Sequence, residues 1–198
     1  MAATAGTEGA VQENIETSMA VQRAMLNDAE LLAGIAKAAE LIVEALLSGR
    51  RLLLMGNGGS AADAQHIAAE FVGRYRLERR AMPAMALTVN TSTLTAIGND
   101  YGFEEVFARQ VEAFAQPGDV LLALSTSGNS RNLLRGAVMA DALRVKTIAL
   151  TGQSGGKLRS AVNLCLRVPS SDTPRIQEAH ILLGHTISEM VEAELFRR

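Results

Sequence analysis

Three features of the sequence predict an α/β fold built on a parallel sheet. Five short apolar segments recur along the chain, at 51–55, 84–89, 120–124, 146–150 and 164–168. Four of them are near-continuous apolar runs rather than alternating ones, the pattern of strands covered on both faces. Segments with helical spacing separate them, and longer helical segments stand at both ends of the chain. Strand and helix in alternation imply βαβ units with right-handed crossovers, and hence a parallel sheet flanked by helices.

Taken in order, residues 1–9 read as a flexible tail, and 10–198 as one domain that opens with a helical hairpin. Its two Ala- and Leu-rich helices, 11–27 and 29–48, break at Asn27-Asp28. The strand at 51–55 passes through a glycine cluster into a helix at 60–73. After the strand at 84–89 come a helix at 103–114, the strand at 120–124 and a helix at 130–143. The strand at 146–150, a short helix near 155–160 and the strand at 164–168 follow. Pro117-Gly118-Asp119 and Thr151-Gly152 supply turns at the sheet boundaries. Pro174 suits the first turn of a long helix over 175–196. The stripe Ile176, Leu183, Ile187, Val191 and Leu195 reads as core or subunit contact, so the terminal helices are candidates for an inter-subunit bundle.

Bulk properties narrow the function classes. With 48% hydrophobic residues the 198-residue chain is a globular protein, not a disordered one. A formal net charge of −2 without any long charge run argues against nucleic acid as a partner. No apolar stretch approaches the ~20 residues of a membrane span. The first residues have neither the basic start nor the apolar core of a signal peptide, so a cytoplasmic location is expected. Cys165 is the only cysteine, which excludes an intrachain disulfide; its apolar run predicts a buried, inert thiol.

The stretch LLLMGNGGSAADAQHIAAEF (52–71) fits the dinucleotide pattern G-x-G-x-x-A at Gly56, Gly58 and Ala61. A dinucleotide site also needs an acid at the end of the second strand. That strand ends TVNTSTL (88–94) with no acid, and Glu78 comes too early. No Gly-Lys-Ser/Thr follows the loop, so a Walker phosphate loop is excluded too. What remains is backbone: Asn57, Gly58 and Gly59 allow close approach to a ligand, and Ser60 is placed to cap the helix. A second loop, STSGNS (125–130), follows a buried strand and opens another helix. Its hydroxyls and helix-start amides can cradle a phosphate without a lysine. A phosphate site with no nucleotide signature points to a phosphorylated small molecule.

His66 and Glu70 stand i and i+4 on the helix after the glycine loop, and so share a face. Imidazole and carboxylate suit zinc or a similar divalent ion. On the last helix, Gln177 and His185 lie eight residues apart, a rotation of about 80° and a rise of about 12 Å. His180 occupies a neighbouring face, where a contact behind the ligands or simple packing is expected rather than ligation.

The motifs GNGGSAADAQHIAAEF, LTAIGNDYGFEEVFARQ, STSGNS and PSSDTPRIQEAHILLGH together resemble the phosphoheptose isomerases of the sugar isomerase (SIS) domain superfamily. The resemblance covers roughly 10–196. It implies a three-layer SIS fold with a five-stranded parallel sheet between helices, assembled as a homotetramer with active sites shared between subunits. It implies one Zn2+ per subunit on His66, Glu70, Gln177 and His185. Substrate contacts would come from Asn57, Gly58, Gly59, Glu70, Asn99, Asp100, Ser125, Thr126, Ser127, Ser130 and Gln177. The implied reaction turns sedoheptulose 7-phosphate into D-glycero-D-manno-heptose 7-phosphate, the first step of nucleotide-activated heptose biosynthesis. It runs through a metal-stabilised enediolate, with Glu70 as base and His185 as acid. Two alternatives stay open at this point. One is a non-catalytic SIS tetramer acting by protein contact, of the DnaA initiator-associating type. The other is an SIS isomerase for a different sugar phosphate.

Overall fold

The computed structural model describes the backbone of residues 2–196 and the side chains of 7–196. Two helices open the chain, α1 (Ala2–Leu26) and α2 (Ala29–Leu47). Residues 2–9, expected as a tail, are the first turns of α1; Met1 lies outside the described residues. Asp28 fixes the break between the helices, because its carboxylate accepts the Leu31 N–H at 3.0 Å and so caps α2. There follow β1 (Leu52–Gly56), α3 (Gly59–Val72), β2 (Ala84–Ala86), α4 (Thr91–Asp100), α5 (Ala108–Phe114) and β3 (Val120–Ser125). The chain ends with α6 (Arg131–Ala142), β4 (Lys146–Thr151), β5 (Leu164–Arg167) and α7 (Thr173–Phe196).

The five strands form one sheet in the order β2-β1-β3-β4-β5, every pair parallel. Successive side chains of a strand point to opposite faces, and here both faces are buried. Leu52, Leu54, Val120, Leu122, Leu124, Ile148 and Leu150 pack under α2, α3 and α7. Leu53, Met55, Leu121, Ala123 and Ala149 pack under α5 and α6. Both faces being covered is the physical reason these strands read as continuous apolar runs.

Some elements differ from expectation. The strand expected over 84–89, ending in the stretch 88–94, stops at Ala86 as β2, and α4 begins at Thr91. The Asn90 side chain accepts from Thr93 N at 3.0 Å and starts that helix. The helix expected over 103–114 divides into a 3-10 turn, Phe103–Glu105, and α5; the one near 155–160 is a 3-10 turn, Gly156–Ser160. Cys165 is only half-buried, since β5 is an edge strand, and burial raises its thiol pKa while a hydrogen-bond contact with Thr151 opposes the shift. On α1, Val11, Ile15 and Met19 recur every four residues and stay more than half exposed.

The strand order places a reversal at β1 and β3: the chain leaves β1 for one edge and returns to begin β3 on its other side. In open α/β sheets the crevice beyond the strand ends at such a point is where ligands bind. β1 and β3 end level, with Gly56 paired to Leu124, so the loops that follow them share this crevice.

Candidate active site

The loop after β1 begins with Asn57. Its side-chain amide and that of Asn132, at the start of α6, exchange two hydrogen bonds of 2.9 Å each. This pair spans the crevice and ties the glycine loop to the serine loop. Asn132 is almost fully buried and also accepts from Leu133 N. The expected cap at Ser60 does not form. Gly58 is the N-cap and makes no side-chain bond, α3 starts at Gly59, and Ser60 is buried in its first turn.

After β3, the hydroxyl of Ser125 accepts from Gly128 N at 3.1 Å, and that of Ser127 accepts from Asn129 N at 3.2 Å. A hydroxyl that accepts from the loop keeps its own O–H to donate to a ligand. Gly128 has φ +65°, and a Cβ there would overlap the Gly155 carbonyl oxygen. The serine loop therefore rests directly on the backbone of the turn Gly155-Gly156. Asn129 fastens the two by accepting from Lys157 N at 3.0 Å. Beside the loop is a pocket of about 240 Å³ whose walls include Thr126, Ser127, Ser170 and the start of α7 at Thr173 and Ile176. Ser130 is the N-cap of α6 but makes no side-chain cap bond.

Helices α3 and α7 both run away from this end of the sheet. They approach closely at two points. A Cβ on Gly59 would stand 2.5 Å from Gln177 Nε2, and one on Gly184 would stand 2.6 Å from Ile67 Cγ1. Gly59, His66 and Glu70 lie seven and four residues apart, so they form one stripe on α3. Across from it, His185 Nε2 is 2.8 Å from His66 Nε2, and Glu70 Oε1 is 3.4 Å from His66 Nε2. Donor atoms of His66, Glu70 and His185 all lie within 4.8 Å of one another. Asp63 stands on the same stripe with a buried oxygen that has no hydrogen-bond partner among the described residues. Burial raises the Asp63 carboxyl pKa, and His66 pulls against that shift.

Two imidazole nitrogens and a carboxylate converging on one point are a donor set that fits zinc. Gln177, on the same helix as His185, reaches the opening turn of α3 instead, between the pocket and the cluster. Asn99 and Asp100 are exposed at the end of α4, where Asn99 Nδ2 donates to Asp100 Oδ1 at 2.7 Å. Their side chains bond to one another and not to either loop or the cluster. The structure thus gathers two groups: Asn57 with the serine loop at the crevice, and His66, Glu70 and His185 farther along α3 and α7. Sequence reasoning missed Asn132, Asp63 and Tyr75, whose ring lies 5.7 Å from that of His185. Of these, only Asp63, four residues after Gly59, carried a periodic signal.

The SIS domain family model matches residues 17–152. Phosphoheptose isomerase of Geobacter sulfurreducens is 58% identical over 84% of this chain and 88% of its own length. The Clostridium acetobutylicum phosphoheptose isomerase is 48% identical over 94% and 95%. Among solved structures, phosphoheptose isomerase from Neisseria gonorrhoeae superposes with a TM-score of 0.89 at 41% identity, covering 94% of this chain and 99% of that one. Fold and similarity agree: the chain belongs to the phosphoheptose isomerase family of SIS-domain proteins.

Proposed function

We propose that the chain isomerises sedoheptulose 7-phosphate to D-glycero-D-manno-heptose 7-phosphate, in the cytoplasm, as the entry step to nucleotide-activated heptoses. The observation that carries this reading is the convergence of His66, Glu70 and His185 on the helices that begin at the crevice holding the phosphate-type loop. The separation of the two groups supports it further. Gln177 and His185 alone are about 12 Å apart along α7. That suits a long substrate with phosphate at one end and its reacting carbons at the other.

In the reaction a proton leaves C1 and one arrives at C2, while the hydroxyl proton of O1 is replaced by one on O2. The C–H bond is a weak acid, so charge developing on the oxygens of the enediolate must be stabilised. Zn2+ held by His66, Glu70 and His185, with Gln177 as a fourth ligand once its side chain turns from Gly59 toward them, would supply Lewis-acid stabilisation of that charge. Glu70 takes the proton at one carbon, using a carboxylate oxygen turned to substrate, and His185 serves as the acid. Asn57, Gly58 and Gly59 bring backbone to the sugar, with Asn99, Asp100 and Gln177 as further contacts. Ser125, Thr126, Ser127 and Ser130 hold the phosphate, which positions the distant C1–C2 unit. The exposed apolar stripe Val11, Ile15 and Met19 suits a subunit contact, and the assembly proposed is a homotetramer with sites shared between subunits.

The test is turnover of sedoheptulose 7-phosphate by purified protein, stripped with chelator and resupplied with zinc. Activity that vanishes on stripping and returns with zinc is expected. Activity indifferent to the chelator would remove the metal from the reading. A folded protein that turns over nothing in either state would favour a role in protein contact.

A further inference from the structure

The segment between α3 and β2 is held by one buried carboxylate. Glu192, on α7, is 1% exposed. Its Oε1 accepts from Tyr75 N at 3.1 Å and its Oε2 from Arg76 N at 2.8 Å and Leu77 N at 3.0 Å. Arg79 Nε completes the set at 2.9 Å to Oε1. Burial alone would raise this carboxyl's pKa. The N–H groups of Arg76, Leu77 and Tyr75 and the Arg79 guanidinium outweigh it and lower the pKa.

The rest of the Arg79 guanidinium is turned to the end of α3. Nη2 donates to the Glu70 carbonyl at 2.7 Å, and Nη1 to the carbonyls of Phe71 at 2.9 Å and Gly73 at 3.0 Å. These are carbonyls that a helix terminus leaves without intrahelical partners, and a cation is favourable there. The same segment lays Tyr75 beside the His185 ring, and Arg76 reaches Glu189 on α7 at 3.3 Å. One buried ion pair therefore fixes the backbone of Glu70 from behind and the flank of His185.

We propose that Glu192, acting through Arg79 and the 75–77 backbone, is a positioning residue for the reaction centre. It holds the last turn of α3 against α7 so that Glu70 and His185 meet His66 at one point. This rests on the function proposed above. A backbone clamp of this kind needs a carboxylate: an amide in its place has one acceptor oxygen and turns N–H groups toward N–H groups. Removing one partner of a buried pair is also more disruptive than replacing both with apolar groups.

Three variants test the proposal: Glu192→Gln, the double replacement Glu192→Leu with Arg79→Met, and the distant core truncation Ile148→Ala. Zinc affinity of the chelator-stripped protein is read by competition with a chromophoric chelator. It is read beside Tm and the separate values of kcat and KM. Glu192→Gln should weaken zinc binding and lower kcat at least tenfold while KM stays within threefold. The apolar double variant should fold and show the same losses. Ile148→Ala should lower Tm yet keep zinc affinity and kcat near wild type. If both Glu192 variants bind zinc and turn over like wild type once folded, Glu192 is only structural and the proposal is overturned. Wild-type protein that binds zinc without isomerising the sugar would overturn the proposed function alone, and the zinc affinities would still decide the positioning role. Wild-type protein that binds no zinc overturns both.

Discussion

His66 Nε2 lies 2.8 Å from His185 Nε2, across 119 residues of chain, because residue 184 has no side chain. A Cβ at Gly184 would stand 2.6 Å from Ile67 Cγ1, and Ile67 is itself 1% exposed with nowhere to retreat. Gly184→Ala should therefore push α7 away from α3. An overpacked contact of this type costs about 1–3 kcal/mol. The same displacement should open the cluster, so zinc affinity should fall more than tenfold. Adding Ile67→Ala removes the obstructing atoms and should restore much of the zinc affinity, which chelator competition on the two variants would show.

Glu70→Gln, assayed with zinc in excess so that the metal site stays filled, separates binding from proton transfer. The amide keeps the shape of the side chain but is no base at neutral pH. A positioned general base contributes roughly 10²–10⁴-fold, so kcat should drop by at least that range while substrate affinity changes little. Isotope exchange at C1 in deuterated water gives the direct readout. Near-normal exchange in the variant would assign the base elsewhere.

Asn132→Ala probes the crevice. It removes the partner that holds the Asn57 amide and leaves Leu133 N without its side-chain acceptor. Leaving a buried polar group unsatisfied costs about 1–3 kcal/mol in stability, and of these bonds the one to Leu133 N is buried. Because Asn57 then swings free at the substrate loop, KM should rise several-fold with kcat much less affected. A change in kcat alone would place Asn132 outside the binding role.

The strands were legible because a parallel sheet buried on both faces leaves the same apolar run whatever its neighbours are. His66 and Glu70 were legible for a similarly local reason, an i, i+4 spacing on a helix that a glycine loop announces. α4 was not, since its Thr- and Ser-rich sequence carries no apolar periodicity and its start depends on the Asn90 side chain turning back to Thr93. Nor were the site's supports. Asn132 meets Asn57 over 75 residues and Glu192 meets Arg79 over 113, and neither pair leaves a spacing that a single sequence reveals. Ser60 misled for the opposite reason: a good capping residue stood where the backbone of Gly58 and Gly59 had already begun the helix.

His180 should make stability fall on the acid side of neutrality. It is fully buried on α7, and neither ring nitrogen has a hydrogen-bond partner within normal geometry among the described residues. Burial lowers its pKa from 6.5 to about 4, against a weaker pull from the Thr151 backbone. The unfolded chain therefore takes up a proton near pH 6.5 that the folded protein refuses until about pH 4. Its contribution is fully present above pH 6.5 and is lost as pH falls toward 4. That loss amounts to roughly 3 kcal/mol across the window. Glu192, whose pKa is also lowered, acts in the same direction, but its contribution is lost only below its unfolded value of 4.5. Because His66, His185 and Asp63 contribute equally to wild type and to a His180 variant, the difference between their slopes from pH 6.5 to 5 isolates His180. Replacing it with leucine should flatten Tm against pH in that interval by about one proton's worth, while equal slopes for wild type and His180→Leu would assign the acid sensitivity to another group.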